Sequence, residues 1–239
     1  MYGSGALCGT RMRGADAAPV IGGPSTVILH LLEYRVVPGH EAEVTGFLRQ
    51  QASAARADEG IVFSCFGRRL GTQGREHLAA TVWSGWDSFR RGTDGKGLPG
   101  FLSAISVLLG VESSTRYRVV ASTGWRCEGA RILRLYRTAV AADAVETWER
   151  RALEPVGRLA SRDGLLTIVA GVGKDPDGSV ARADEAGVVI LTAWSDWNLL
   201  LTATGGRLNA TLADSELADI ERPANADHYE VIGPEPRPR

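Results

Sequence analysis

The four-residue motif W-S-x-W occurs twice in this chain, and this duplication constrains the fold more than any other feature. The copies occupy positions 83–86 and 194–197, and their first tryptophans stand 111 residues apart in a chain of 239. Self-similarity at a fixed spacing marks a duplicated structural unit. Three further pairs fall at matching places along the chain: Gly60 with Gly164, Gly67 with Gly171, and Tyr117 with Tyr229.

The residues around each copy predict the same order of secondary structure. Stretches rich in β-branched residues, such as "TVILHLLEYRVV" and "GVVILTAW", are typical of strands. Stretches such as "EAEVTGFLRQQ" have the apolar spacing of a helix. Each half reads strand, helix, strand, strand, helix, strand, which is the ferredoxin-like β-α-β-β-α-β unit. We therefore predict an α+β fold built from tandem ferredoxin-like repeats.

The duplication also predicts where the two units begin and end. The first unit spans 26–122 and the second spans 130–233, with a linker at 123–129. The segments 1–25 and 234–239 lie outside both units and lack their alternating apolar pattern. We expect them to be a disordered leader and a disordered tail.

Composition and cysteine spacing exclude several classes of protein. Lys plus Arg (27) nearly balances Asp plus Glu (28), so no basic excess favours nucleic acid as a partner. No apolar run reaches the length of about 18 residues that a transmembrane helix needs, so no membrane association is expected. Cys8, Cys65 and Cys127 are odd in number and lack the spacing of metal ligands. We expect no disulfide scaffold, no metal site and a reducing, cytoplasmic location.

Two motifs in the first half resemble a known family. "YRVVPGHEAE" joins the first strand to the first helix, and "VWS" ends the third strand. The first half is thereby similar to the antibiotic biosynthesis monooxygenase family, which belongs to the dimeric α+β barrel superfamily. The second half is less similar, because "AVAADAVE" replaces the Pro-Gly-His turn. The resemblance implies that two sheets close into a barrel, either within this chain or between the two chains of a homodimer.

The resemblance also implies an activity. Family members oxidise aromatic polyketide intermediates with molecular oxygen and without flavin or metal. The expected function is therefore a cofactor-independent oxygenase for an aromatic or polyketide-like small molecule in secondary metabolism. The alternatives are a polyketide cyclase or isomerase of the same fold, and a small-molecule-binding protein without catalysis. An oxygenase of this kind needs an apolar pocket, a base, and donors for the resulting oxyanion.

The first strand of each half supplies the candidate catalytic residues. His30 and Tyr34 share one face of the first strand, and we expect that face to line the barrel interior, where His30 would act as a base. A structural histidine with a satisfied partner is the alternative. Arg134 stands in the middle of the corresponding strand of the second half. A buried charge needs a partner, so Arg134 either pairs with a carboxylate or holds an anionic substrate oxygen.

Several aromatic and polar residues are candidates for substrate binding. The tryptophans of W-S-x-W lie where the third strand of each unit gives way to its second helix, where large aromatics either pack as core or line a pocket. Tyr136 alternates with Arg134 along its strand, and His228 begins the last strand. The complete set of expected substrate-binding residues is Tyr34, Trp83, Trp86, Tyr136, Trp194, Asn198 and His228.

No cofactor is expected, although the resemblance raises two questions. Quinone-forming members of the family rely on an asparagine and a tyrosine near the pocket tryptophan. The first half has no asparagine, whereas the second has Asn198 directly after Trp197. Heme-degrading relatives use a histidine on the second helix as the iron ligand, and neither second helix here carries one. Heme is therefore disfavoured, with His30 left open as an alternative axial ligand.

Overall fold

Both halves of the chain contain the predicted order of strands and helices. The computed structural model describes residues 20–21, 27–52, 60–72, 74–93, 97–173, 184–209, 217–222 and 224–233. The first half contains β1 (Val20–Ile21), β2 (Ile28–Val36), α1 (Glu41–Ala52), β3 (Ile61–Arg69), β4 (Glu76–Trp83), α2 (Trp86–Gly92), a 3-10 helix (Gly100–Leu108) and β5 (Leu109–Ser122). The second contains β6 (Ile132–Ala141), a 3-10 helix (Ala142–Ala144), α3 (Val145–Leu159), β7 (Leu165–Val172), β8 (Glu185–Trp194), α4 (Trp197–Ala203) and β9 (Ala226–Val231).

Eight of these strands close into a barrel within the single chain. Their order around the ring is β5-β2-β4-β3-β9-β6-β8-β7, and β5 pairs in turn with β7. The two seams between the halves are the antiparallel pairs β3–β9 and β5–β7. Each unit thus covers the open sheet face of the other, as two packed layers require. The choice between closure within the chain and closure between chains is settled in favour of the single chain.

The interior of the barrel is filled by side chains from both halves. Because successive residues of a strand point to opposite faces, Leu29 and Leu31 point inward and pack against Leu133 and Leu135. The rest of this apolar cluster includes Phe63, Cys65, Leu78, Ala80, Val82, Tyr117, Val169, Val189, Leu191, Ala193 and Tyr229. The expectation of a substrate chamber inside the barrel is therefore wrong. An eight-stranded barrel has an interior just wide enough for side chains to fill.

One end of the barrel is covered by the linker between the halves. Trp125 packs against the interior cluster, with its ring 6.3 Å from the ring of Phe63. Two residues later, Cys127 forms a disulfide with Cys65 of β3. The expectation that the cysteines would not pair is wrong, because sequence spacing does not reveal that the linker folds back onto β3. Since disulfides are rare in reducing compartments, this bond also removes the cysteine argument for the cytoplasm.

An ionic network covers the other end of the barrel and joins the two halves. Arg137 binds both carboxylate oxygens of Glu33 at 2.6 and 2.9 Å, and it also reaches Asp227 at 3.2 Å. Asp227 accepts from Arg69 at 2.5 Å, and Tyr229 donates to Glu33 at 3.1 Å. Burial alone would raise the pKa of Glu33, but the hydrogen bonds from Arg137 and neighbouring donors hold it below its usual value.

The outer face of the barrel is covered by helices. Leu32 and Tyr34 point outward and pack against Val44 and Leu48 of α1. In the second half, Trp148 and Val156 of α3 pack on outward residues of β6, β7 and β8. No helix among the described residues is long and apolar enough to cross a membrane. Because side chains fill the barrel interior, we expect a ligand site between the sheet and the helices.

Two residues of the expected leader form a short strand. Val20 and Ile21 pair with Ser122 and Ala121 at the end of β5, so this part of the segment 1–25 is structured. Its remaining residues and the tail 234–239 lie outside the described residues. We propose the division 26–122, 123–129 and 130–233 for the two units and their linker.

Replacing Glu33 with Gln should destabilise the fold near neutral pH. The substitution removes the charge that Arg137 binds with two hydrogen bonds, at a partly exposed site, and we expect a loss of about 2 kcal/mol in the free energy of unfolding. Because the pKa of Glu33 is lowered in the folded state, its contribution is present above the ordinary carboxyl pKa and is lost as the pH falls. Urea denaturation at pH 7 and in acid measures both effects.

The exposed ion pair of Arg35 with Glu112 provides the matched control. Glu112→Gln should leave the free energy of unfolding nearly unchanged, because exposed pairs contribute little. Equal stability of the wild type and Glu33→Gln at pH 7 would contradict the role given to the network.

Removing the cross-link between Cys65 and Cys127 should also destabilise the protein. The bond joins residues separated by 62 positions, and the chain-entropy model gives about 4 kcal/mol for such a loop. We expect Cys127→Ser to unfold at lower denaturant concentration, and dithiothreitol to lower the stability of the wild type but not of the variant. Cys8→Ser is the control. Detection of Cys65 as a free thiol in the oxidised protein would refute the pairing.

Candidate functional site

A polar residue lies at the same outward-facing position of the central strand in each half. In the first half, β2 lies between β4 and β5, and His30 stands opposite Thr81 and Arg116. In the second half, β6 lies between β8 and β9, and Arg134 stands opposite Thr192 and His228. Each half therefore places an imidazole, a guanidinium and a threonine side by side. The imidazole and the guanidinium have exchanged strands between the halves.

The first site, defined by His30, Thr81, Ser114 and Arg116, is centred on a fully buried imidazole. His30 has no solvent exposure. Its Nε2 lies 3.0 Å from Ser114 Oγ, and its Nδ1 lies 3.4 Å from Thr81 Oγ1. Both neighbours are hydroxyls, which donate or accept, so either imidazole tautomer can be accommodated. Burial, together with the positive charge of Arg116, lowers the pKa of His30 to about 4. The ring is therefore neutral at pH 7.

Aromatic rings enclose the first site. Phe89 of α2 contacts the His30 ring edge-on at 5.1 Å between ring centres, and the Arg116 guanidinium lies 5.9 Å from the centre of the Phe89 ring. Trp83 is fully buried, and its indole N–H donates to Thr81 at 3.1 Å. This bond ties the first tryptophan of W-S-x-W to the threonine that faces His30. Trp86 packs edge-on against Phe89, with 5.8 Å between the ring centres.

The backbone at Gly97 approaches the first site closely. Gly97 has a φ of +79°, and a Cβ there would lie 2.4 Å from Ser114 Oγ and 3.6 Å from His30 Nε2. A side chain at this position would be strained by the backbone conformation and would collide with Ser114. Only glycine therefore allows the chain to pass this close over the imidazole.

The second site, defined by Arg134, Thr192, Trp197 and His228, repeats this arrangement with the imidazole and the guanidinium exchanged between strands. Arg134 is fully buried, and its Nε donates to the Leu208 carbonyl at 3.2 Å. Trp194 donates its indole N–H to Thr192 at 2.9 Å, the counterpart of the bond in the first site. The rings of Trp197 and His228 are 5.8 Å apart. Burial and then the charge of Arg134 lower the pKa of His228 to about 4.

The predicted position of His30 and Tyr34 inside the barrel is wrong. Both point outward, toward the helices, while Leu29, Leu31 and Glu33 point inward. The alternating pattern separates two faces of the strand but does not say which face is inside. Glu33 also faces inward and lies, partly buried, in the ionic network at the end of the barrel. His30 and Arg134 consequently belong to two different sites and not to one chamber.

The expected substrate-binding residues fall into two groups. Trp83 and Trp86 wall the first site, and Trp194 and His228 lie in the second. The other expected residues lie elsewhere in the fold. Tyr34 stacks on His77 at 5.5 Å beneath α1, Tyr136 donates to Glu221 at 3.1 Å in the α3 core, and Asn198 is exposed in the first turn of α4.

Six residues used to describe these sites are outside the expected set: Thr81, Phe89, Ser114, Arg116, Thr192 and Trp197. A sequence signal exists for the threonines, because Thr81-Val82-Trp83 and Thr192-Ala193-Trp194 extend the repeated motif to T-x-W-S-x-W. Ser114 and Arg116 stand in the polar stretch of β5 and reach His30 only through the pairing of β5 with β2. No group of three or more His, Cys, Asp or Glu side chains in the described part of the chain is arranged to hold a metal ion.

Solved structures of other proteins have the same fold. A candidate monooxygenase from Lactobacillus acidophilus NCFM matches with a TM-score of 0.65 at 10% identity, over 87% of this chain and 94% of that chain. A second candidate monooxygenase, from Fusobacterium nucleatum, matches with a TM-score of 0.59 at 11% identity, over 88% and 94%. An anthrone oxidase-like protein matches with a TM-score of 0.57 at 11% identity, over 87% and 92%.

The chain shares the α+β barrel fold of these proteins. At 10% to 11% identity the likeness shows the fold alone, and it supports at that level the resemblance drawn from the sequence. No protein-family model matches the chain, and no curated protein matches it by sequence. Function must therefore be argued from the sites themselves.

The low pKa values of His30 and His228 predict a specific response to acid. Because each pKa is lowered on folding, the unfolded state binds more protons between about pH 4 and the ordinary histidine pKa near 6.5. Stability should therefore fall as the pH is lowered through this window. In NMR titrations, both imidazoles should remain neutral down to about pH 4.

Arg116→Gln should raise the pKa of His30, because it removes a nearby positive charge while leaving the burial of the ring in place. Arg118→Gln is the control, since the Arg118 side chain is bound to Glu149 and not to the first site. A His30 pKa near 6.5 in the wild type would contradict its burial.

Proposed function

We propose that this protein is a cofactor-independent oxygenase that acts on a small aromatic phenol or enol at the first site. The observation that carries the proposal is the buried, neutral imidazole of His30 held between a hydroxyl and a guanidinium within aromatic walls. Oxygenation without a cofactor needs three things from the protein: a proton acceptor, a charge that stabilises the substrate anion, and apolar surroundings. His30, Arg116 and the rings of Trp83, Trp86 and Phe89 supply them.

His30 would take the proton that ionises the substrate. Burial, and then the charge of Arg116, disfavour the imidazolium and lower the pKa of His30 to about 4. A phenolate formed beside the ring would favour the imidazolium by opposite charge. The phenolate and the imidazolium would therefore form as an ion pair within the site. Ser114 Oγ, 3.0 Å from Nε2 and only half-buried, lies where it can pass the proton between a ligand and the ring.

Arg116 would stabilise the substrate anion in the first site. Its guanidinium lies over the Phe89 ring and is exposed, so it is available to a ligand anion at this site. The role expected for Arg134 from the sequence thus falls to Arg116 in the first half. Arg134 serves the second site, where it is bound to the Leu208 carbonyl.

The substrate anion would supply the electrons for the reaction with oxygen. When a ring methylene becomes a ketone, it gives up four electrons; one atom of O₂ enters the product and the other leaves as water. The reaction therefore balances without an external reductant. The barrel closes within one chain, so the first site does not need a second copy of the protein. The monooxygenase and anthrone oxidase names attached to three proteins of this fold support the proposal by analogy.

Oxygen uptake with a dihydroxyanthrone tests the proposal. The wild-type protein should consume O₂ without added flavin or metal and form the quinone, and His30→Ala should lower the rate by about 100-fold or more, as loss of a general base does. Arg116→Gln should lower it by about tenfold through loss of anion stabilisation. His40→Ala is the control, because His40 pairs with Glu43 at an exposed turn.

The same assay separates the rival functions. Turnover that continues without oxygen would identify a cyclase or isomerase, and binding without product would identify a ligand-binding protein. Wild-type rates in both His30→Ala and Arg116→Gln would remove the roles assigned to these residues.

A further inference from the structure

We infer that the second half holds a separate binding site for a small phenolic aromatic, centred on His228 and Trp197, in which the ligand is turned relative to the first site. The ligand class rests on the proposed function, whereas the existence of the site rests on the geometry of the second half. Three observations support it: the matching register, a buried imidazole nitrogen without a partner among the described residues beside a half-buried indole, and the exchanged positions of imidazole and guanidinium.

The two sites are equivalent in register. His30 stands opposite Thr81 on one flanking strand and Arg116 on the other. Arg134 stands opposite Thr192 and His228 in the same way, with β8 in the place of β4 and β9 in the place of β5. The bond from tryptophan to threonine occurs in both halves at similar length, 3.1 Å from Trp83 and 2.9 Å from Trp194. The duplication has therefore kept the framework of the site and not only the fold.

Two groups of the second site are available to a ligand: the Nε2 atom of His228 and the indole ring of Trp197. His228 Nε2 is buried and has no hydrogen-bond partner among the described residues. Buried polar atoms in proteins are nearly always satisfied, so a ligand hydroxyl is a suitable partner for this nitrogen. Trp197 lies 5.8 Å from the imidazole at an angle of 40° between the rings, and its indole is half-buried. Such a surface takes a planar aromatic ring.

The exchange of imidazole and guanidinium determines how the ligand lies. In the first site the imidazole is on the central strand, fully buried, and the guanidinium is on the flanking strand, exposed. In the second site Arg134 is on the central strand, fully buried, and His228 is on the flanking strand, half-buried. A phenol whose hydroxyl is directed at the imidazole, through Ser114 in the first site and directly in the second, would therefore sit near the central strand in the first site and over the flanking strand in the second.

The two sites act independently because the filled barrel separates them. β2 and β6 are four strands apart in a ring of eight, so they lie on opposite sides of the barrel. The buried apolar cluster of the barrel interior lies between them. One chain should therefore bind two equivalents of ligand, and loss of one site should leave the other occupied.

Binding stoichiometry with a dihydroxyanthraquinone tests the inference. This probe is already oxidised, so it reports binding without turnover, and equilibrium dialysis measures equivalents bound per chain. The wild type should bind two equivalents, His228→Ala one, His30→Ala one, and the double variant none. His40→Ala should still bind two. His228→Gln and Trp197→Phe serve as milder variants, and thermal melts confirm that each variant is folded.

The outcomes separate this inference from the proposed function. If the anthrone is not oxidised but two equivalents bind and His228→Ala removes one, the proposed function fails and the second site stands. If a single equivalent binds and only His228→Ala removes it, the second site stands and the ligand role of His30 fails. The inference is overturned if the wild type binds no probe, or if neither His228→Ala nor His228→Gln reduces the number of equivalents bound.

Discussion

The packed interior of the barrel is the constraint on which the rest of the structure depends. Eight antiparallel strands enclose a space that Leu29, Leu31, Leu133, Leu135 and their neighbours occupy with packed apolar side chains. One half alone would leave the inner face of its sheet exposed to solvent. The second half covers that face, so the duplicated unit and the filled interior depend on each other. Trp125 of the linker covers one end of the barrel, and the ionic network around Glu33 covers the other end. With the interior occupied, ligand chemistry is confined to the outer face, between sheet and helices.

Burial then sets the chemistry of that outer face. An imidazole placed under a helix and beside a guanidinium loses its charge, and both His30 and His228 are held neutral in this way. Each is thereby a hydrogen-bonding group or proton acceptor at neutral pH. The first tryptophan of each W-S-x-W motif donates a hydrogen bond to the threonine that stands opposite the polar residue of the central strand. The motif therefore serves the site as well as the packing, because it fixes the threonine that faces the buried polar group.

The sequence predicted the fold well and the site only in part. The repeat of W-S-x-W and the element order were sufficient for two ferredoxin-like units, because these depend on local periodicity. The inward face of β2 was not predictable from alternation, since Leu29 and Leu31 are as apolar as Ile28 and Leu32. The bond from Cys65 to Cys127 and the contact of Ser114 with His30 depend on pairings between distant segments. Such contacts follow from the closed topology and not from any local pattern.

The location of the ligand tests the account most directly. A crystal structure of the protein with bound dihydroxyanthraquinone would show which surface the ligand occupies. The account predicts electron density between the central strand and the second helix of a unit, with a ligand hydroxyl at His30 or His228, and a barrel closed by strands of one chain. Density within the barrel interior, among Leu29, Leu133 and their neighbours, or a barrel completed by strands of a second chain, would contradict it.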